Sequence, residues 1–221
     1  MGELGNAEIK QRLTGTGWHL FVGSLHAHFA TADFTQGVEL VRRIGAAADA
    51  AGHHPDVDLR YGYVAVVLVS HDVSAVTERD LAMAEQISAI AADLGVAAAP
   101  GSPQVLEIAV DAMDIPLVRP FWQAALGYTD TSGDDLDGDA RLSDPRGRGP
   151  MVWFQQMDEP RTDRNRIHFD ITVAYADAAG RIEEIVAAGG RLLSDHAAPR
   201  FWVLADPEGN EVCICTPQGR D

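Results

Sequence analysis

Two adjacent histidines before a proline, His53-His54-Pro55, and a lone His71 closing an apolar run are the residues best suited to chemistry. Histidine can give and take a proton near neutral pH. Six of the eight histidines lie within the first 71 residues. Asp49 and His53 are spaced i,i+4, so on a helix they share a face, where a carboxylate can orient an imidazole and hold its proton on one nitrogen. A helix C-terminus there favours the protonated ring, and burial favours the neutral one. If Tyr61 to His71 is one strand, Tyr61, Tyr63 and His71 share a face, and flat rings beside imidazoles suit a planar heterocycle. A turn near Gly62 would break that parity. The same three histidines can instead bind zinc, given a fourth ligand or an open position, or simply end a helix and a strand.

The elements that must hold these residues follow from periodicity. Ala7 to Leu13 reads as a short helix, and Trp18–Val22 and His26–Thr31 as short strands. Phe34, Val38, Val41, Ile44 and Ala48 recur at helical spacing, with Asp33 able to cap that helix and Gly52 to end it. Tyr61 to Ser70 is β-rich and holds one long strand or two short ones. Leu81, Ala84, Ile87, Ala91 and Leu94 mark another helix, stopped by Gly95. Thr77-Glu78-Arg79-Asp80 fits a variant capping box. The order α-β-β-α-β-β-α predicts an α+β fold, with an antiparallel sheet and helices on one face. His26 and His28 alternate with apolar residues and read as surface or interface positions.

Two prolines and a glycine near Pro100-Gly101-Ser102-Pro103 predict a linker over residues 99–103, between a domain of residues 1–98 and one of 104–221. The formal charge of −16 is spread over both halves, which argues against a nucleic-acid partner. No apolar run is long enough to span a bilayer, and the polar start does not read as a secretory signal. Cys213 and Cys215 are too close in sequence to form a disulfide framework and read as buried thiols. A cytoplasmic protein is expected.

The series Asp49-x-x-x-His53-His54-Pro55, then Tyr61, His71 and Asp80, resembles the signature of the pterin-4a-carbinolamine dehydratases. The resemblance covers most of residues 3–96, with Asp49 where glutamate is frequent and Val57 where an aromatic is common. It implies a lyase that removes water from 4a-hydroxytetrahydropterin, such as 4a-hydroxytetrahydrobiopterin, to give quinonoid dihydropterin in pterin recycling. No cofactor and no metal would be required. The reaction needs an acid at the C4a hydroxyl and a base at N5. The resemblance implies His53 and His71 as that pair in either assignment, and His54 as a residue that binds or orients the pterin. Asp49, Tyr61 and Asp80 would support them. It also implies a homo-oligomer assembled through the sheet. An alternative is a non-catalytic binding or dimerisation module.

The second half reads as strand Val105–Val110, helix Val118–Leu126 with Pro120 in its first turn, then strands Tyr128–Thr131, Ala140–Ser143 and Met151–Gln155. Strand Ile167–Val173, helix Asp177–Ala188, and strands Arg191–Leu193, Phe201–Leu204 and Glu211–Cys215 follow. Leu106–Val110 resembles Phe169–Val173, which suggests paired βαβββ modules. Phe121-Trp122, Arg166–Asp170 and the turn Asp206-Pro207-Glu208-Gly209-Asn210 make residues 104–217 similar to a glyoxalase-like domain of the vicinal oxygen chelate superfamily. Metal-dependent members place ligands on the first and last strands of each module. Here that implies His168 and Glu107 as possible ligands, with Gln155 weaker and Cys213 at a position where glutamate is usual. A ligand pocket without metal, or a purely structural role, is expected, and an activity of this domain on an unknown small molecule is a further alternative.

Overall fold

The computed structural model describes residues 4–99, 103–131, 141–161, 163 and 167–218. Residues 100–102 of the expected linker, Ala140 and Arg166 lie outside that set. The chain divides into two compact units, Met1–Val105 and Leu106–Asp221. No helix among the described residues is long and apolar enough to cross a membrane.

In the first unit the order is α1 (Asn6–Arg12), β1 (His19–Phe21), β2 (Ser24–Ala30), α2 (Phe34–Ala51), β3 (Asp56–Arg60), β4 (Tyr63–Leu68), α3 (Glu78–Asp93) and β5 (Ala97–Ala98). The strands pair antiparallel in the order β1-β2-β4-β3, with β5 also on β2. Alternation decides the two faces. Leu25, Ala27 and Phe29 of β2 and Val64, Val66 and Leu68 of β4 are buried with Leu40 and Ile44 of α2 and Leu81 and Ile87 of α3. Each such aliphatic side chain contributes about 1.5–3 kcal/mol on leaving water. The half-buried His26 and His28 and the exposed Tyr63 take the other register on these strands. His28 stacks on Tyr63 with ring centroids 5.3 Å apart. His26 bonds Ser24 Oγ at 2.8 Å, and burial, then His28 and His19, push its pKa down.

Two expectations need correction here. Tyr61 to His71 is not one strand: Tyr61 and Gly62 form the turn between β3 and β4, so Tyr61 and His71 share no strand face. The strand before that turn starts at Asp56, earlier than expected. Its Asp-Val-Asp-Leu-Arg sequence has only two apolar residues, and it needs no more because it is an edge strand with one neighbour, β4. Gly37 lets α2 approach β3, since a Cβ there would meet Leu59 Cδ1 at 2.5 Å.

The second unit repeats one unit twice. The first module is β6 (Glu107–Ala112), α4 (Ile115–Leu126), β7 (Thr129–Asp130), β8 (Arg141–Ser143) and β9 (Met151–Gln156). The second is β10 (Phe169–Thr172), α5 (Tyr175–Ala187), β11 (Arg191–Ser194), β12 (Phe201–Ala205) and β13 (Glu211–Cys215). Their strand orders, β6-β9-β8-β7 and β10-β13-β12-β11, are equivalent, and in both the first and last strands pair parallel. The helices share one core, where Phe121 and Trp122 of α4 meet Ile185 of α5, Leu204, Val212 and Ile214. Arg181 of α5 donates to the Ala125 carbonyl at 3.1 Å, near the C-terminal end of α4. Helix α4 starts earlier than its apolar pattern suggests: Asp114 caps it, Pro116 occupies its first turn, and Pro120 therefore lies inside the helix rather than in its first turn.

Candidate active site

Helix α2 ends in a way that aims His53 inward. Gly52 takes φ 60°, its N–H bonds the Asp49 carbonyl at 3.3 Å, and the His53 N–H bonds the Ala48 carbonyl at 3.2 Å. This pair of bonds is a Schellman motif, which reverses the chain after the last helical turn. The helix has stopped before the i,i+4 relation of Asp49 and His53 can operate. Asp49 instead pairs with His54, Oδ1 to Nε2 at 3.0 Å, and both side chains are mostly exposed. The expected Asp49–His53 partnership is therefore corrected to Asp49–His54.

His53 is 7% exposed, and its Nε2 lies 2.8 Å from Oδ1 of Asp80, which is fully buried on α3. A carboxylate only accepts hydrogen bonds, so Nε2 is the donor of this bond and Nδ1 lies outside it. The other oxygen of Asp80 accepts from Ser70 Oγ at 2.7 Å and from the Thr77 N–H at 2.8 Å. The expected capping box is present, and the same carboxylate also holds an imidazole. Ser70 and Thr77 were not among the expected site residues. Their signal in the sequence is position alone: Ser70 precedes His71, and Thr77 opens the box that ends in Asp80.

His71 is exposed at the start of the turn after β4. That turn is closed by Ser70 N–H to the Ala75 carbonyl and by Val73 N–H to the Ser70 carbonyl, both at 3.1 Å. Its next residue, Asp72, is ion-paired with Arg79, whose hydrogen bond holds its carboxyl low. Asp72 also interacts electrostatically with His53. The structure thus joins His53, Asp80 and Ser70 into one hydrogen-bonded chain that leads into His71. His54 and Asp49 form a separate exposed pair on the residues just before Pro55. Tyr61 is 77% exposed in the β3–β4 turn.

In the second unit a cavity of about 1130 Å³ is lined by Met113, Leu117, Trp122, Met157 and Phe169, with carboxylates that include Asp111 and Glu208. Its floor is rigid. Buried Asp206 accepts from Trp122 Nε1 at 3.1 Å and from the Glu208 and Asn210 N–H groups at 3.0 and 2.8 Å. Glu208 in turn accepts from the Met113 and Asp114 N–H groups at 2.9 and 2.7 Å, clamping the second module to the start of α4. The Asp206–Asn210 turn is therefore one joint between the two modules, beside the shared helix core.

The donors expected for a metal do not assemble as a family quartet. His168 Nδ1 lies 3.1 Å from Asp170 Oδ1 and 3.8 Å from Cys213 Sγ, and Asp170 and Cys213 are register partners on β10 and β13. All three donor atoms lie within 4.8 Å of one another, and Glu107 is not in that group. Burial, then Asp170, pushes the Cys213 thiol up to about 12. The set is drawn from the second module alone, with a thiol rather than a carboxylate on β13 and without Glu107 of β6, so it is not the ligand set expected from the resemblance.

Comparison with known proteins agrees with this division. Residues 2–90 match the family model for pterin 4 alpha carbinolamine dehydratase, and residues 107–215 match that for a glyoxalase-like domain. A Herpetosiphon aurantiacus protein named "Putative pterin-4-alpha-carbinolamine dehydratase" is 38% identical over 91 residues, 41% of this chain and 95% of its own length. A Mycolicibacterium smegmatis protein of the same name is 35% identical over 94 residues, 42% of this chain and all of its own length. The crystal structure of a transcriptional coactivator/pterin dehydratase from Brucella melitensis is similar at 28% identity and TM-score 0.39, covering 41% of this chain and 99% of that one. A glyoxalase/bleomycin resistance protein/dioxygenase family enzyme from Burkholderia phytofirmans is similar at 17% identity and TM-score 0.41, covering 50% of this chain and 95% of that one. Through its first unit the chain belongs to the pterin-4a-carbinolamine dehydratase family, and it carries a glyoxalase-like domain after it.

Proposed function

We propose that the first unit dehydrates 4a-hydroxytetrahydropterin to quinonoid dihydropterin by histidine acid–base catalysis. The observation that carries this reading is the buried His53–Asp80 bond at 2.8 Å, which fixes one tautomer and leaves Nδ1 as the proton acceptor. The reaction removes the N5 proton and releases the C4a hydroxyl as water after protonation. No oxidant enters, because the lost groups are together one water.

The carboxylate behind His53 stabilises the imidazolium formed when the ring takes a proton, which suits the base at N5. His71, exposed at the turn, suits the acid that protonates the departing hydroxyl. His54, held outward by Asp49, is placed to bind or orient the pterin, and exposed Tyr61 offers an aromatic face to it or to a second copy of the chain. A homo-oligomer in the cytoplasm and a tetrahydrobiopterin-type substrate complete the reading.

A dehydration assay with 4a-hydroxytetrahydropterin on the wild type and His71→Ala tests it. The expected result is turnover in the wild type and a loss of about 10²-fold or more in the variant, the usual share of a positioned acid or base. Undiminished turnover in His71→Ala overturns the role of His71. Absence of turnover in the wild type overturns the dehydratase reading and leaves a binding module.

A further inference from the structure

We propose that Ser70 is a positioning residue that couples His53 and His71. Its hydroxyl holds the Asp80 carboxylate against His53, while its main chain anchors the turn that carries His71. This rests on the dehydratase reading above, and its test is built to fail separately from that reading.

Ser70 is 1% exposed, so its hydroxyl exchanges no hydrogen bonds with bulk water. Its Oγ lies 2.7 Å from Asp80 Oδ2 and 2.8 Å from Thr77 Oγ1. Thr77 Oγ1 also lies 3.2 Å from Asp80 Oδ2, so the shorter contacts set the preferred direction of the protons. The Ser70 O–H donates to Asp80, the Thr77 O–H donates to Ser70 Oγ, and Thr77 Oγ1 accepts the Arg79 N–H at 3.2 Å. Asp80 is then bound at both oxygens, to His53 on one and to Ser70 and the Thr77 N–H on the other. A carboxylate pinned on both sides cannot rotate about its terminal torsion, a broad and otherwise soft degree of freedom. The imidazole it orients is therefore held as well.

The main chain of the same residue performs the second task. Ser70 forms an isolated antiparallel bridge with Ala75 and accepts the Val73 N–H. His71 is the first residue of the turn so enclosed. Any shift of Ser70 moves the Asp80 clamp and the start of the His71 turn together. Two proton-transfer groups that must act on adjacent atoms of one ring need their separation fixed, because misplacement by an ångström costs rate steeply. Ser70 is the residue through which that separation is set.

The test uses Ser70→Ala and Ser70→Thr in the full chain, with two readouts. The first, made without any pterin, is the NMR signal of the His53 Nε2 proton, which the buried bond to Asp80 protects from exchange. The second is kcat and KM for 4a-hydroxytetrahydropterin. Ser70→Ala is expected to shift or broaden the His53 proton and to lower kcat by about 10-fold or more, the low end of the worth of one hydrogen bond to a charged group, with KM within about 2-fold. Ser70→Thr, which keeps the hydroxyl, is expected to restore both. A serine that only stabilises the fold would lower the melting temperature and leave the proton signal and kcat of the folded protein in place; that result overturns the proposal. If the signal moves in Ser70→Ala while the wild type shows no turnover, the positioning role stands and the dehydratase reading falls.

Discussion

Replacing Asp80 by asparagine separates the shape of this side chain from its charge. Four donors lie within reach of the carboxylate: His53 Nε2–H, the Ser70 hydroxyl, the Thr77 N–H and, at 3.2 Å, the Thr77 hydroxyl. Asparagine offers one acceptor oxygen and an NH2 group. The oxygen suits Ser70 and Thr77, where the other donors meet, so the NH2 faces His53. Two N–H groups cannot bond each other, and His53 must move its proton to Nδ1 and accept at Nε2. The nitrogen that was free for the substrate is then the protonated one.

The cost has a floor and a ceiling. Losing the charge-assisted bond alone is worth about 1.5–3 kcal/mol, or roughly 10- to 150-fold in rate. Fixing the wrong tautomer of a catalytic histidine by the same exchange costs about 10⁴ in a serine protease. Asp80→Asn is therefore expected to lower kcat by between about 10- and 10⁴-fold. The fold should survive, because the amide oxygen still accepts the Thr77 N–H and preserves the cap of α3. Asp80→Ala is a poorer probe. It leaves several buried donors without their acceptor at about 1–3 kcal/mol each, a large share of the roughly 5–15 kcal/mol that holds a domain together. The assay is single-turnover dehydration beside ¹⁵N NMR of the His53 ring, whose two nitrogens report the tautomer directly. An Asn variant with wild-type kcat, or one in which Nε2 remains protonated, refutes the reasoning.

The Cys213 thiol, pushed up to about 12 by burial and then by Asp170, should resist a disulfide reagent at pH 8 in the native chain and react only after unfolding; fast native labelling of this residue contradicts that environment. The Glu39 carboxyl is held down to about 2 by hydrogen bonds from Arg42 and then Arg43. A depressed carboxylate contributes stability above its ordinary pKa and loses it on acidification. The small difference in melting temperature between the wild type and Glu39→Gln should therefore fade as pH falls from about 4.5 towards 2, and molar salt should reduce it because the pair is exposed. A difference that grows on acidification reverses the sign of the argument. Elemental analysis of the chain purified without chelator should find no stoichiometric metal; one equivalent of zinc that is lost in Cys213→Ser would overturn the reading of the His168–Asp170–Cys213 group.

What the sequence made legible, and what it hid, follows from how far each constraint reaches along the chain. Asp33 and Gly52 bound α2, and Thr77 and Asp80 box α3, because caps act within four residues and composition alone displays them. The strand faces of β2 were readable because Leu25, Ala27 and Phe29 alternate with His26 and His28. Strand β3 was not, since an edge strand with one neighbour can carry Asp, Asp and Arg and still pair. The partner of His53 was the larger difficulty. Local spacing favours Asp49, four residues away, whereas the actual partner is Asp80, and the choice turns on one glycine. At φ 60° Gly52 ends the helical register before His53, so the nearer carboxylate falls to His54 and the buried one to His53. Had α2 continued one turn, His53 would have faced the exposed Asp49, its proton would exchange freely with water, and Asp80 would be only a helix cap. The site therefore depends on the termination of α2 as much as on its histidines: the Gly52 turn and the Asp80–Ser70 clamp give the His-His-Pro motif its buried, hydrogen-bonded member.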